Sequence, residues 1–249
     1  MKASRIGMIA SIGLICAAGA AAQPYDGLQV NARVFNDFPG STLNIVNAYP
    51  ASRSIEESNF GSGNFANRHM AWASEDAGAT ASDFDYGDGF DFAVTMNLNA
   101  SPVDGREAGI MTDLFGFGFF GALPNGEIAA FGSFLPFHSF GNVYTNGTDV
   151  DLRMIYTPGA GEGLLPASTM EYIIDTGSGP VSSGAIAFTN TEGGIPTGFT
   201  ALIGVGIQSQ GGPGGSSDVL FSNFNFVPAP GTGVIALAGM LACSRRRRA

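Results

Sequence analysis

The chain has 249 residues, 37 of them glycine, 20 phenylalanine and one tryptophan, with 21 acids against 11 bases. A formal charge of −10 argues against nucleic acid or an anionic lipid surface as a partner held by charge. The two cysteines, Cys16 and Cys243, stand near opposite ends, which excludes a disulfide framework for the body between them.

Lys2 and Arg5 precede an apolar run over 6–18, and Ala20, Ala21 and Ala22 stand before Gln23. A positive start, a short apolar helix and small residues at the cut are the marks of a secretory signal, so 1–22 is predicted to be removed and the mature protein to begin at Gln23. A lipid anchor at Cys16 is not expected, because the bulky Ile15 precedes it and no leucine stands three residues before it.

The body, 23–227, shows no internal linker and no repeat long enough for a solenoid or propeller, so a single domain is predicted. Strand-like runs follow one another at 28–35, 43–48, 90–98, 114–120, 127–134, 150–156, 170–175, 185–189, 199–208 and 219–227. The run from 90 alternates most clearly, with Phe90, Phe92, Val94, Met96 and Leu98 on one side and Asp91, Ala93, Thr95 and Asn97 on the other. Many short strands joined by Gly, Asn and Pro turns predict an all-β fold, a two-sheet antiparallel β-sandwich.

The chain closes on Val227, Pro228, Ala229, Pro230 and Gly231, an apolar run over 234–243, and Arg245, Arg246, Arg247 and Arg248. Prolines end regular structure, so the fold stops near Val227 and a short hydrophobic helix follows. From 231 to 244 there are fourteen residues, short of the roughly 20 that span a bilayer core unaided. Terminal arginines favour the cytoplasmic side, which leaves the body on the other. With both ends removed, five arginines and no lysine face 21 acids, a net charge of −16.

The order of hinge, apolar run and arginine cluster in 228–249 resembles the PEP-CTERM sorting signal, in a Pro-Ala-Pro form. The resemblance implies transient residence in the inner membrane and removal of the tail by an exosortase close to Pro228, Ala229 and Pro230. The product would be a cell-surface or extracellular protein. A plain anchor that is never cut is the other reading. The body in turn looks like a concanavalin A-like or laminin-G-like jelly roll. The residues that carry this are the phrases at 33–37, 65–69 and 107–109, Ala130-Phe131-Gly132 with Leu135-Pro136-Phe137, and the closing run 219–226.

Several constellations could carry chemistry. Ser74, Asp76, Gly78 and Thr80 are similar to an Asp-box without its aromatic residue, which is a turn device. Asp83, Asp85, Asp88 and Asp91 crowd the approach to the clearest strand, and two readings stand: ligands for Ca²⁺ or a solvated acidic turn. Glu171 and Asp175 share a strand face but lack the second glutamate of the laminarinase pattern. No cysteine survives processing and only His69 and His138 are present, which excludes thiol catalysis and disfavours a histidine-rich zinc site. Trp72, with Tyr144 and Tyr156, could stack on a sugar ring or simply belong to the core.

The leading expectation is therefore a non-catalytic exported protein associated with extracellular polysaccharide. A lectin-like carbohydrate-binding module, with or without Ca²⁺, is the alternative. A degenerate glycoside hydrolase comes third.

Overall fold

The computed structural model describes residues 25–62, 65–84, 87–101, 106–113, 117–132, 135–159, 168–188, 201–209 and 214–228. In chain order the strands are β1 (Gly27–Asn36), β2 (Thr42–Ala48), β3 (Ser52–Ser58), β4 (Asn67–Ser74), β5 (Phe90–Ser101), β6 (Arg106–Asp113), β7 (Phe117–Ala122) and β8 (Glu127–Gly132). They continue with β9 (His138–Asn142), β10 (Asp149–Thr157), β11 (Thr169–Asp175), β12 (Val181–Ser182), β13 (Ile186–Ala187), β14 (Ile203–Ser209) and β15 (Ser216–Pro228). The two helices expected at 1–22 and 231–244 lie outside the described residues. No helix among the described residues is long and apolar enough to cross a membrane.

The strands form two antiparallel sheets. The first runs β1-β4-β14-β6-β7-β8-β9 and the second β12-β11-β10-β5-β15-β3-β2, with β13 also pairing β11. Alternation dictates how they pack. In β5 every other side chain from Phe90 to Leu98 is buried while Asp91, Ala93, Thr95 and Asn97 are half-exposed, as the period-two pattern requires. β10 repeats this with Val150, Leu152, Met154 and Tyr156 turned inward. Across the gap Phe120 of β7 meets Tyr172 of β11, ring centroids 5.0 Å apart, which closes the sandwich core. At one end Tyr25, Phe84, Phe90, Phe92 and Phe226 form an aromatic cluster.

All ten expected runs fall on or overlap strands, with ends shifted by a few residues. Five strands were not expected: β3, β4, β6, β9 and β12. The first three share a cause. β4 reads Asn67-Arg68-His69-Met70-Ala71-Trp72 and is buried on both faces, so charged and polar residues stand where a pattern search expects apolar ones. β3 likewise turns Arg53 and Glu57 inward, and β6 buries Arg106.

Candidate functional site

Those unexpected strands bring polar side chains together at two places. The first is a seam between the sheets. β3 turns Arg53, Ile55 and Glu57 to the interior, and β4 turns Asn67, His69 and Ala71 towards them. Glu57 Oε1 accepts from Ser41 Oγ at 2.5 Å and Asn67 Nδ2 at 2.6 Å, while Oε2 lies 3.0 Å from His69 Nε2. His69 Nδ1 accepts the backbone N–H of Arg33 at 3.1 Å, which places the ring proton on Nε2 and directs it to Glu57. Burial alone would raise the Glu57 pKa, but the bonds from His69, Ser41 and Asn67 outweigh it and hold the carboxyl below its usual value. The Arg33 guanidinium, 3.7 Å away, is the counter-charge.

Arg33 reaches this place because β1 bulges between Asn31 and Phe35, and Arg33 itself takes a left-handed φ of 55°. Its guanidinium then bonds Asn36 Oδ1, Phe38 O and Ser41 O at 2.8 to 3.1 Å. The His69 and Glu57 side chains are wholly buried, at 0% exposure each, so no substrate reaches them. The seam joins the sheets and is structural.

The second place is the outer side of the first sheet. Alternation turns Arg68, Met70 and Trp72 outward from β4, opposite to His69 and Ala71. In register across four strands stand Phe35, Arg68, Gln208 and Glu107. Arg68 Nε donates to Gln208 Oε1 at 2.8 Å, Nη2 donates to the same oxygen, and Gln208 Nε2 donates to Glu107 Oε1 at 2.6 Å. The Arg68 guanidinium also lies 4.3 Å over the Phe35 ring. Desolvation lowers the Arg68 pKa against the pull of Glu107, and desolvation raises that of Glu107 against Arg68.

The next row holds Met70, Gly206, Gly109 and Gly121. A Cβ on Gly109 would sit 2.3 Å from the Phe120 carbonyl and one on Gly121 2.1 Å from that of Ala108, so the close approach of β6 and β7 requires glycine there. Beyond it Trp72, Met111 and Phe119 join Met70 in a small second apolar cluster. Beside these rows lies a recess of about 200 Å³ lined by Asn31, Arg68, Met70, Trp72, Asp113 and Leu202. Arg68, Met70 and Trp72 form its floor and are buried, at 9%, 5% and 4% exposure, whereas Asn31 and Asp113 at its mouth are exposed.

The remaining expected residues disperse. Ser74, Asp76 and Thr80 do form a turn: Asp76 accepts from Ser74 Oγ at 2.6 Å, Thr80 N at 2.8 Å and Thr80 Oγ1 at 2.7 Å, while Gly78 takes φ +91°. The bonds from Ser74 and then Thr80 hold the Asp76 carboxyl down to about 2. Asp91 lies on the outer side of the second sheet and takes both Nε and Nη2 of Arg153, at 2.7 and 2.5 Å. Asp83 and Asp88 sit in the segment between β4 and β5, and Asp85 is outside the described residues. Among the described residues no three His, Cys, Asp or Glu side chains come together in a group that could hold a metal ion.

Glu171 and Asp175 stand four residues apart on β11, about 13 Å by strand rise, well beyond the spacing of a glycosidase pair. Glu171 accepts from Ser182, and Asp175 caps Gly177 and Gly179. His138 packs edge-on against Phe140, and burial lowers its pKa. The Tyr144 hydroxyl is bonded to Leu98 N and O, and Tyr156 is buried against Ser168. Val227 and Pro228 end β15 opposite Asp91 and Phe90. Ala20, Ala22, Gln23, Ala229, Pro230, Gly231 and Arg245 to Arg248 lie outside the described residues.

No protein-family model matches the chain, and no curated protein does. Solved structures with a similar arrangement include the alginate lyase AlgAT5 from Polysaccharide Lyase family 7, at 9% identity and TM-score 0.46 over 74% of this chain and 82% of that one. The lectin UEA-II complexed with galactose aligns at 10% identity and TM-score 0.42, over 83% and 97%. Arcelin-5, a lectin-like defense protein from Phaseolus vulgaris, aligns at 12% identity and TM-score 0.38, over 83% and 96%. Likeness of this extent assigns no role to any residue here.

Proposed function

We propose that this is an exported, non-catalytic protein whose β-sandwich binds an extracellular polysaccharide through the recess beside Trp72 and Arg68. The observation that carries the reading is the composition of that recess. Buried Trp72 and Arg68 form its floor, where the indole edge suits the apolar face of a sugar ring, while the exposed Asn31 and Asp113 at its mouth supply donors and acceptors for hydroxyl groups. Binding fits better than turnover, because the His69–Glu57 pair is sealed in the core and Glu171 and Asp175 stand too far apart on β11 to act together on a glycosidic bond.

Isothermal titration with neutral and acidic oligosaccharides tests it. Asn31→Ala and Asp113→Ala change exposed groups, so they are expected to weaken binding about ten-fold each, the value of a lost hydrogen bond or two, with the melting temperature unchanged. Saccharide binding that is indifferent to both, and to Trp72→Ala, would end this assignment.

Export and sorting are read from the ends of the chain. The segment 1–22 would direct secretion, and 228–249 would hold the protein in the inner membrane until an exosortase cuts near Pro228 to Pro230. The intact mass of the product, from hosts with and without that enzyme, is decisive. A species running from Gln23 to between Val227 and Gly231 only in the first host supports the reading, and retention of Arg248 in both makes the tail a permanent anchor.

A further inference from the structure

Both ends of the described chain leave from one rim of the sandwich. The Tyr25 ring packs edge-on against Phe226 with centroids 4.2 Å apart, and β15 finishes at Pro228 opposite Phe90, the first residue of β5. Two turns belong to the same rim. In the β2–β3 turn the Tyr49 hydroxyl donates to Tyr25 O at 3.1 Å, and after β4 the Ala77 N–H donates to Asp26 Oδ1 at 2.6 Å. At the far end of β5 the opposite rim holds a cavity of about 300 Å³, lined by Ala100, Arg106, Asn125, Tyr144, Thr145 and Asn146 among others.

The tail leaves almost no slack. Residues 229–233 alone separate Pro228 from the apolar run that begins at Val234, and a segment of that length reaches at most about 18 Å. We infer, on the anchor reading given above, that the partner of the first rim is the lipid surface. With the tail attached, the domain stands on the chain about Asp26, the β2–β3 turn and the turn after β4, and presents the Arg106 rim roughly 40 Å further out, the length of the twelve-residue β5.

Charge does not hold it there. Asp26, Glu75 and Asp76 lie on the membrane-facing rim, and carboxylates have no attraction for anionic lipid. The covalent tail is what holds the rim to the bilayer, so cutting the tail frees the domain at once. The same geometry places the cut directly beside the end of a paired strand.

The test uses the full chain, with Cys16→Ser and Cys243→Ser, in a host without exosortase. Single cysteines are introduced at exposed positions on the near rim, Ala51→Cys and Ala79→Cys, and on the far rim, Asn125→Cys and Thr145→Cys. Spheroplasts are treated with N-ethylmaleimide or with a polymer-linked maleimide too large to enter a narrow gap. All four sites are expected to react with the small reagent, and positions 51 and 79 to lose reaction with the large one. A long Gly/Ser spacer after Pro228 should restore it. Equal reaction of both rims with the large reagent, or a block that survives the spacer, overturns the inference. Extraction of the protein by alkaline carbonate would instead show that the anchor reading itself fails, and the inference falls with it.

Discussion

Five arginines lie between residues 23 and 227, and most of them are not on the surface: Arg53, Arg68 and Arg106 are buried. Arg53 is 0% exposed, and none of its three side-chain nitrogens has a hydrogen-bond partner among the described residues. Burial pushes its pKa down to about 10. A group lowered in this way destabilises the fold wherever it is charged, that is below about pH 10, and the cost is relieved as pH rises above that. Arg53→Met keeps the volume and removes the charge, so a gain of about 1 to 3 kcal/mol is expected in urea unfolding at neutral pH. Glu57 behaves oppositely. Its carboxyl is held below the ordinary value, so its stabilisation is complete above the unfolded pKa near 4.5 and is lost as pH falls through the lower folded value. Glu57→Gln should therefore flatten the acid limb of the stability curve and cost about 3 kcal/mol at pH 7, because Arg33 is left without its counter-charge.

At the scale of elements, strands with apolar and polar residues in alternation were legible, and strands that bury charge were not. β5 and β10 announce themselves by period two. β3 and β4 do not, because Arg53, Glu57, Asn67 and His69 look solvated until the packing of the sheets is known. The phrases at 33–37 and 65–69 carry the resemblance to a jelly roll but name no partners for their side chains. That Arg33, Asn67 and His69 converge on Glu57 follows only from the pairing of β1 with β4 and the packing of β4 over β3. Glycine pairing is a second such case. Gly109→Ala would drive its methyl into the Phe120 carbonyl of β7, and a loss of about 2 kcal/mol is expected by thermal denaturation. By contrast the Arg153–Asp91 pair is well formed but its arginine is 46% exposed, so Arg153→Ala should cost less than about 1 kcal/mol.

At the scale of the whole sandwich, the cations are mostly withdrawn from water while the acids are spread along it. Residues 23–227 set five arginines against 21 acids, a net charge of −16, so self-repulsion opposes compaction and salt should relieve it. The melting temperature of a protein spanning 23–227 is expected to rise as sodium chloride is increased from low to physiological strength, and a flat response would mean that the acids are already neutralised in pairs.

Composition and periodicity alone determined that the body is all-β and, with no cysteine between residues 23 and 227, that it folds without disulfides. These are properties of one strand or one segment at a time, because the solvent preference of each side chain is read against its immediate neighbours. The tertiary structure alone decided which charges are buried, which residues share the recess beside Trp72, and that Tyr25 and Phe226 meet at one rim. Those facts depend on strand order and register, which join residues more than a hundred positions apart, such as Arg68 and Gln208, and no local pattern carries that information.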